Sequence, residues 1–312
     1  MRSLRRLTGV LPFVRKYLRA SRALNYAERR RAPGTTFARF GRHLGIGLLR
    51  SGTSRGVPYL LVAPVSITRY FEFEFVLMHI PPESAVCLDV SSPRLFSLFI
   101  AAAHPTVSIH MINPDFEDAE ITRAIADRLG YSNVVVSSDA VSALADQSAR
   151  YDCIWSISVV EHVAGEDGDT EAMRLMYAAL RPGGRLIVTV PVDRRFWQEY
   201  RDEDYYGIHE VPTPSGEYFF QRLYDEAHLR ARLVVPLGRE PTTFGWFGER
   251  VAGTFHAYER RWLEFGPNET IDDPRRIADD YDYYERWADM PGFGVCAMVI
   301  DKPLDADQSS AR

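Results

Sequence analysis

The chain has 312 residues, 46% of them hydrophobic, which suffices for one large α/β domain with additions, and no apolar run reaches the length of a transmembrane helix. Its three cysteines, Cys87, Cys153 and Cys296, each lie in a strand-like apolar run, so they read as buried small hydrophobes and point to a reducing cytoplasm. No histidine pair has ligand spacing on a helix and no CxxC occurs, so no metal is expected. The net charge of −5 conceals a separation: residues 1–50 hold thirteen Arg or Lys against the single acid Glu28, so that segment carries +12 and the rest −17. Such a segment should meet something acidic, whether lipid headgroups, nucleic acid or the acidic C-terminal third of the same chain.

In chain order, Pro12 opens a predicted basic amphipathic helix, with Val14, Tyr17, Leu18, Ser21 and Leu24 on one side and Arg15, Lys16, Arg19 and Arg22 on the other. Two readings stand for residues 12–31. One is peripheral docking on an anionic membrane from its inner face; the other, which is favoured, is packing on the chain's own domain with a solvated basic face. Residues 41–56 read as a loop and 59–67 as a strand or extended lead-in. A helix starting at Arg69 ends before Pro81, with Phe71, Phe75 and Met78 as core and Arg69 paired with Glu72 three residues on.

Residues 85–90 form the first predicted sheet strand, with Asp89 near its end. Ser92 then caps a helix through His104, with Pro93 at its first position. A strand at 107–112, a helix at 118–129 and a strand at 133–137 that ends near Asp139 follow. Strands alternating with helices imply a parallel, doubly wound sheet.

Residues 151–192, YDCIWSISVVEHVAGEDGDTEAMRLMYAALRPGGRLIVTVPV, organise the rest. The run 153–160 is too short for a lone helix and β-rich enough for a buried strand. Met173, Met176, Tyr177 and Leu180 recur at helical spacing until Arg181-Pro182-Gly183-Gly184 stops the helix, and 186–190 is a second buried strand. The turn 156–163 falls at the carboxyl end of the first strand, where open α/β sheets place ligands.

This order of residues resembles the fourth and fifth strands of class I S-adenosylmethionine (SAM)-dependent methyltransferases, over roughly residues 84–192 with fainter echoes at 223–233 and 294–302. The resemblance implies a Rossmann-like, seven-stranded, mostly parallel sheet with helices on both faces. It also implies SAM as cofactor and methyl transfer to a hydroxyl or amine of a small-molecule or glycan-like acceptor; the alternative is a non-catalytic binding or scaffold relative. Carried over position by position, Asp89, Ser91 and Ser92 form the turn that holds the amino acid end of SAM, Asn113 meets its ribose, and Asp139 and Ala140 meet its adenine. The family pattern would place glycines at positions 91, 93 and 95; here they are Ser91, Pro93 and Leu95. Arg69 or Tyr70 could reach the donor's carboxylate from the preceding helix. Ser156 lines the donor, while Glu161 and His162 face the acceptor, His162 being suited to take a proton near neutral pH.

Beyond Val192 the pattern changes. Residues 193–222 are polar and aromatic, too long for a simple connection, and Tyr205, Tyr206 and His209 within them are the candidate acceptor contacts. A helix at 224–233, a strand between 237 and 246 and a stripe of Val251, Phe255, Tyr258, Trp262 and Phe265 follow, the stripe reading as core packing. Residues 267–289 are acidic and 295–300 form a last strand. The chain thus divides into a basic arm and helix at 1–56, a methyltransferase-like domain at 57–303 with insertions at 193–222 and 248–292, and a disordered tail at 304–312. No base-flipping motif is visible, and −17 on the remainder argues against nucleic acid as partner.

Overall fold

The computed structural model describes residues 2–53, 56–207 and 211–304, with side chains from residue 11 onward. Four helices precede the sheet: α1 (Arg2–Arg29), α2 (Thr35–Arg50), α3 (Val57–Val62) and α4 (Arg69–His79). Strand and helix then alternate through β1 (Val86–Val90), α5 (Arg94–Ala103), β2 (Ser108–Ile112), α6 (Phe116–Leu129), β3 (Val134–Ser137), β4 (Tyr151–Ile157), α7 (Gly168–Ala179) and β5 (Leu180–Val192). These five strands are parallel, in the order β3-β2-β1-β4-β5. The order reverses between β1 and β4, and the two connections leave a crevice above their carboxyl ends.

The remainder comprises β6 (Trp197–Arg201), β7 (Tyr218–Leu223), α8 (Glu226–Leu229), β8 (Thr243–Glu249), α9 (Thr254–Phe265), α10 (Asp273–Asp280), β9 (Tyr281–Tyr284) and β10 (Gly294–Asp301). β10 lies antiparallel between β5 and β8, and β9 closes the edge against β8. The sheet therefore has eight strands where seven were expected. The added one comes from the acidic insertion, where Tyr281 is buried and stacks on Phe247.

Successive residues of each central strand enter opposite cores. Cys87, Cys153, Trp155, Ile157 and Ile187 face one cluster, and Leu88, Val90, Ile154, Leu186 and Val188 the other. Both faces are covered, so the strands read as unbroken apolar runs. All three cysteines are free and buried in these faces.

Several expectations are corrected. Residues 41–50 are helical, because the glycines read as loop punctuation are seats for close packing: a Cβ at Gly41 would lie 2.4 Å from Pro64 Cβ, and at Gly45 3.1 Å from Leu60 Cβ. Residues 57–62 are a short helix instead of a strand, started by Gly56 at φ 73° and Pro58, with Val57 and Leu61 buried at i, i+4 spacing. Met78 is exposed, not core. Ser92 is no cap; Pro93 holds the N-cap position and the Ser92 hydroxyl is engaged elsewhere. Residues 193–222 contain the antiparallel pair β6 and β7. Of the stripe from Val251 to Phe265, Phe255 and Tyr258 are half-buried and pack against the core, Phe255 stacking on Phe293, while Val251 and Phe265 are exposed.

The basic segment is not a detached arm. Leu24, Phe37, Leu44 and Leu48 share one hydrophobic cluster with Phe71, Phe96 and Trp155, so no core ends at residue 56. One flank of α1 meets the acidic C-terminal third: Lys16 donates to Asn268 (2.6 Å), Arg19 to Asp272 (3.0 Å) and the Tyr26 hydroxyl to Asp279 (2.6 Å). Helix α1 runs through Pro12, with Tyr17 half-buried, Leu24 buried, and Val14 and Leu18 exposed. No helix among the described residues is long and apolar enough to cross a membrane. Of the expected tail, Leu304 is described and residues 305–312 lie outside the described residues.

The glycines of α2 make a test of packing against propensity. Gly47→Ala, whose Cβ would sit 3.6 Å from Leu129 in ordinary contact, should stabilise by about 0.5–1 kcal/mol through helix propensity. Gly41→Ala has the same propensity gain but strikes the rigid ring of Pro64, and overpacking of about 1–3 kcal/mol wins. Urea unfolding should therefore show opposite signs for the two variants.

Candidate functional site

A cavity of about 1370 Å³ opens at the carboxyl ends of β1, β2 and β4. Single small-molecule sites occupy roughly 300–1,000 Å³, so this volume admits two molecules side by side. Ser91, Ser92, Asn113, Ala140, Ser156 and His162 all line it, as does Tyr206. Pro93 and Leu95 form part of its wall without filling it.

The turn after β1 has a glycine's backbone made with a serine. Ser91 sits at φ 53°, the left-handed region, while positions 93 and 95 have negative φ. Only one of the three positions where glycine was expected thus demands glycine-like freedom, at a cost of about 1–2 kcal/mol for a side-chain-bearing residue. The Ser91 amide and hydroxyl both donate to Ile112 O, at 2.8 and 3.1 Å. Beneath the turn, Asp89 is fully buried and does not line the cavity. It accepts from the Ser92 amide (2.9 Å) and the Ser97 hydroxyl, and burial pushes its carboxyl pKa up. The Ser92 hydroxyl accepts from the Ile157 amide (3.1 Å), tying the turn to the end of β4. These two residues brace the site.

At the end of β2, Asn113 is held by its own turn. Its Oδ1 accepts from the Asp115 amide (3.0 Å) and its Nδ2 donates to Asp118 (2.9 Å), which also pairs with Arg94. Asp118 and Arg94 line the cavity and were not singled out from sequence; the only signal was the spacing of Asp118 three residues after its capping partner Asp115. Asp139 is exposed and outside the lining, whereas Ala140 and Val141 are in it.

The floor comes from β4 and the turn that follows. Ser156 is fully buried with its hydroxyl unpartnered, in the cavity wall. Ser158, at φ 45°, donates its hydroxyl to Glu72 and its amide to Thr189 Oγ1 (3.0 Å). Glu72 is buried and also accepts from Thr189 Oγ1 (2.6 Å) and Arg69 (2.6 Å), and Arg69 lines the cavity. Tyr70, the other candidate on this helix, is buried in the core.

Glu161 lies behind this wall, buried, with Oε2 unpartnered. Burial pushes its carboxyl pKa up to about 8, Arg69 opposing and Glu72 adding to the rise. His162 Nδ1 donates to Phe220 O (2.7 Å), which puts the neutral ring's proton on Nδ1 and makes Nε2 its basic nitrogen, 3.9 Å from Glu161 Oε1. The β7 strand thus orients the histidine. Arg222 from the same strand donates to Val163 O (2.8 Å) and Gly165 O, pinning the loop after it. Tyr206 meets the His162 ring edge-on at 5.2 Å, and burial pushes its hydroxyl up to about 12. Tyr205 is exposed, packs against Tyr206 and does not line the cavity; His209 lies outside the described residues. Leu44, Leu48, Tyr59 and Leu60 of α2 and α3 complete the cavity wall. Among the described residues no three His, Cys, Asp or Glu side chains gather as a metal site.

The doubly wound, mostly parallel sheet with its hollow at the β1/β4 switch is a Rossmann-like fold. No protein-family model and no curated protein matches the sequence. Among solved structures, the chain is similar to coclaurine N-methyltransferase bound to N-methylheliamine and S-adenosylhomocysteine, at 10% identity over 94% of this chain and 96% of that one, with a TM-score of 0.49. It is similar to the [4+2]-cyclase SpnF at 18% identity, 78% and 84% coverage and a TM-score of 0.48. A third likeness is to the Burkholderia thailandensis 1,6-didemethyltoxoflavin-N1-methyltransferase, at 15% identity, 74% and 76% coverage and a TM-score of 0.46.

Burial of Glu161 makes stability fall with pH. The folded state holds the Glu161 proton up to about 8, while an unfolded glutamic acid loses it near 4.3, so the stabilisation is complete below that value and lost as pH rises to about 8. Glu161→Gln should match the wild type near pH 4.5 and exceed it by on the order of a few kcal/mol at pH 8.5, read from urea midpoints. Asp273 shifts the same way and is common to both proteins. Glu72→Gln, in contrast, breaks a buried ion pair with Arg69 and should cost about 3 kcal/mol at neutral pH.

Proposed function

We propose that this chain transfers the methyl group of SAM to a hydroxyl or amine of a small-molecule acceptor. The observation that carries the reading is the Ser156 hydroxyl, buried and unpartnered in the wall of a two-molecule cavity at the sheet's switch point, since an orphaned buried hydroxyl calls for a ligand. The residues present fit the donor. The turn at Ser91 and Ser92 with the start of α5 would take its amino acid end, and Arg69 its carboxylate. Asn113 and Asp118 would take the ribose, and Ala140 with Val141 would flank the adenine.

When bound, SAM supplies a methyl group already activated on a sulfonium, so the chain's task is largely positioning. Tyr206, His162 and Arg69 present an aromatic and polar wall suited to a polar or glycan-like ring. His162 Nε2 takes the proton that an acceptor hydroxyl or ammonium must lose, with the ring held for it by the bond from Nδ1 to Phe220 O. A second reading, a binding scaffold without turnover, is favoured by Asp139 lying outside the cavity and by both amide atoms of Asn113 being engaged.

Calorimetry with SAM separates the two. Saturable heat is expected, weakened by Ser156→Val and retained by His162→Ala, and the latter should slow turnover across a panel of amines and phenols by about 10²–10⁴-fold. Heat no greater than the dilution blank for the unaltered chain would sink the enzyme reading.

A further inference from the structure

Helix α1 turns its surplus inward and outward in a way that packing on its own domain does not explain. Ala20, Ala23, Leu24 and Ala27 are buried against the core, and Lys16 and Arg19 face the acidic third. The opposite side presents Leu11 at 58% exposure, Val14 at 41% and Leu18 at 49%. These recur at alternating three- and four-residue spacing, which places them on one side of the helix. In the sequence the same spacing continues upstream to Leu7 and Leu4. Arg15 and Arg22 flank this row, exposed and without an ion pair among the described residues.

Beside the row lies an apolar hollow of about 240 Å³ walled by Phe13, Val14, Tyr17, Ile46 and Leu61. Leu49, three residues beyond Ile46 on α2, is exposed as well. Apolar side chains in a row, an apolar hollow next to them and unpaired arginines at their flanks ask for a partner that is apolar and anionic at once.

We propose that this face of α1 docks on an anionic lipid surface, with Leu11, Val14 and Leu18 entering the interface and Arg15 and Arg22 meeting headgroup phosphates. A second copy of the chain fits poorly, because residues 1–27 contain no acid and two such helices would repel. Nucleic acid would use the arginines and leave the leucines without a role. Lipid uses both. The inference is independent of the methyl-transfer reading.

The test is sedimentation of the full chain with vesicles of phosphatidylglycerol and phosphatidylcholine against phosphatidylcholine alone. Binding should require the anionic lipid and weaken with salt. Arg15→Gln and Arg22→Gln should each reduce partitioning about fivefold. The double variant Leu11→Ser/Leu18→Ser should reduce it more than tenfold while leaving circular dichroism and the thermal midpoint unchanged, since both side chains are exposed. Equal partitioning on both vesicles, a double variant that binds as the unaltered chain does, or a dimer in analytical ultracentrifugation that the leucine changes dissolve would each overturn the proposal. So would an affinity for single-stranded RNA that the leucine changes leave intact and that exceeds the affinity for lipid.

Discussion

The site depends on one buried carboxylate. Glu72 lies on α4, a helix that precedes the sheet in sequence, yet it accepts hydrogen bonds from Arg69 of its own helix, Ser158 at the end of β4 and Thr189 of β5. A buried carboxylate is tolerable only when its lone pairs are filled and its charge is paired, and these three donors do both. The arrangement fixes α4 over the sheet and sets Arg69 against the cavity. It also holds Ser158 in a left-handed backbone conformation that a serine would otherwise leave.

A similar economy governs the turn after β1. Asp89 below it and Ile112 beside it supply the hydrogen bonds that keep Ser91 at positive φ. The geometry expected of glycine is therefore maintained by neighbours, and the serine adds a hydroxyl at the cavity edge. The departure at positions 91, 93 and 95 is smaller than the residue names imply, because Pro93 and Leu95 occupy conformations open to any L-residue.

Much of the frame was legible from the chain. The strands expected at 85–90, 107–112, 133–137 and 153–160 and the helical spacing of Met173, Met176 and Tyr177 are local patterns, apolar on two faces or on one, and no tertiary information is needed to see them. The bounds shift, since the fourth strand is Tyr151–Ile157 and Leu180, assigned to the helix by its spacing, begins β5. What escaped was whatever only folding brings together. Glu72, Ser158 and Thr189 are far apart in sequence, and Phe220 orients His162 from a β-hairpin whose polar, aromatic strands read as a loop. Gly41 and Gly45 look like breakers until Pro64 and Leu60 are laid against them. Val14 and Leu18 shared their side of the helical wheel with Tyr17 and Leu24 in the sequence pattern, and only the packing of α1 against the core separates the two sets.

A second buried acid, Asp273 of α10, holds the turn that leads into Arg69. It accepts from the Ile67 amide (2.9 Å), the Tyr258 hydroxyl (3.0 Å) and Arg276 (2.9 Å), and so clamps the backbone two residues ahead of Arg69, where Ile67 is at φ 20°. With Asp273 gripping that turn and Glu72 gripping the guanidinium, the cation at the cavity wall is preorganised. An anionic group that settles there meets a rotamer already chosen, and the ordering entropy that a surface arginine would surrender on association was lost when the chain folded.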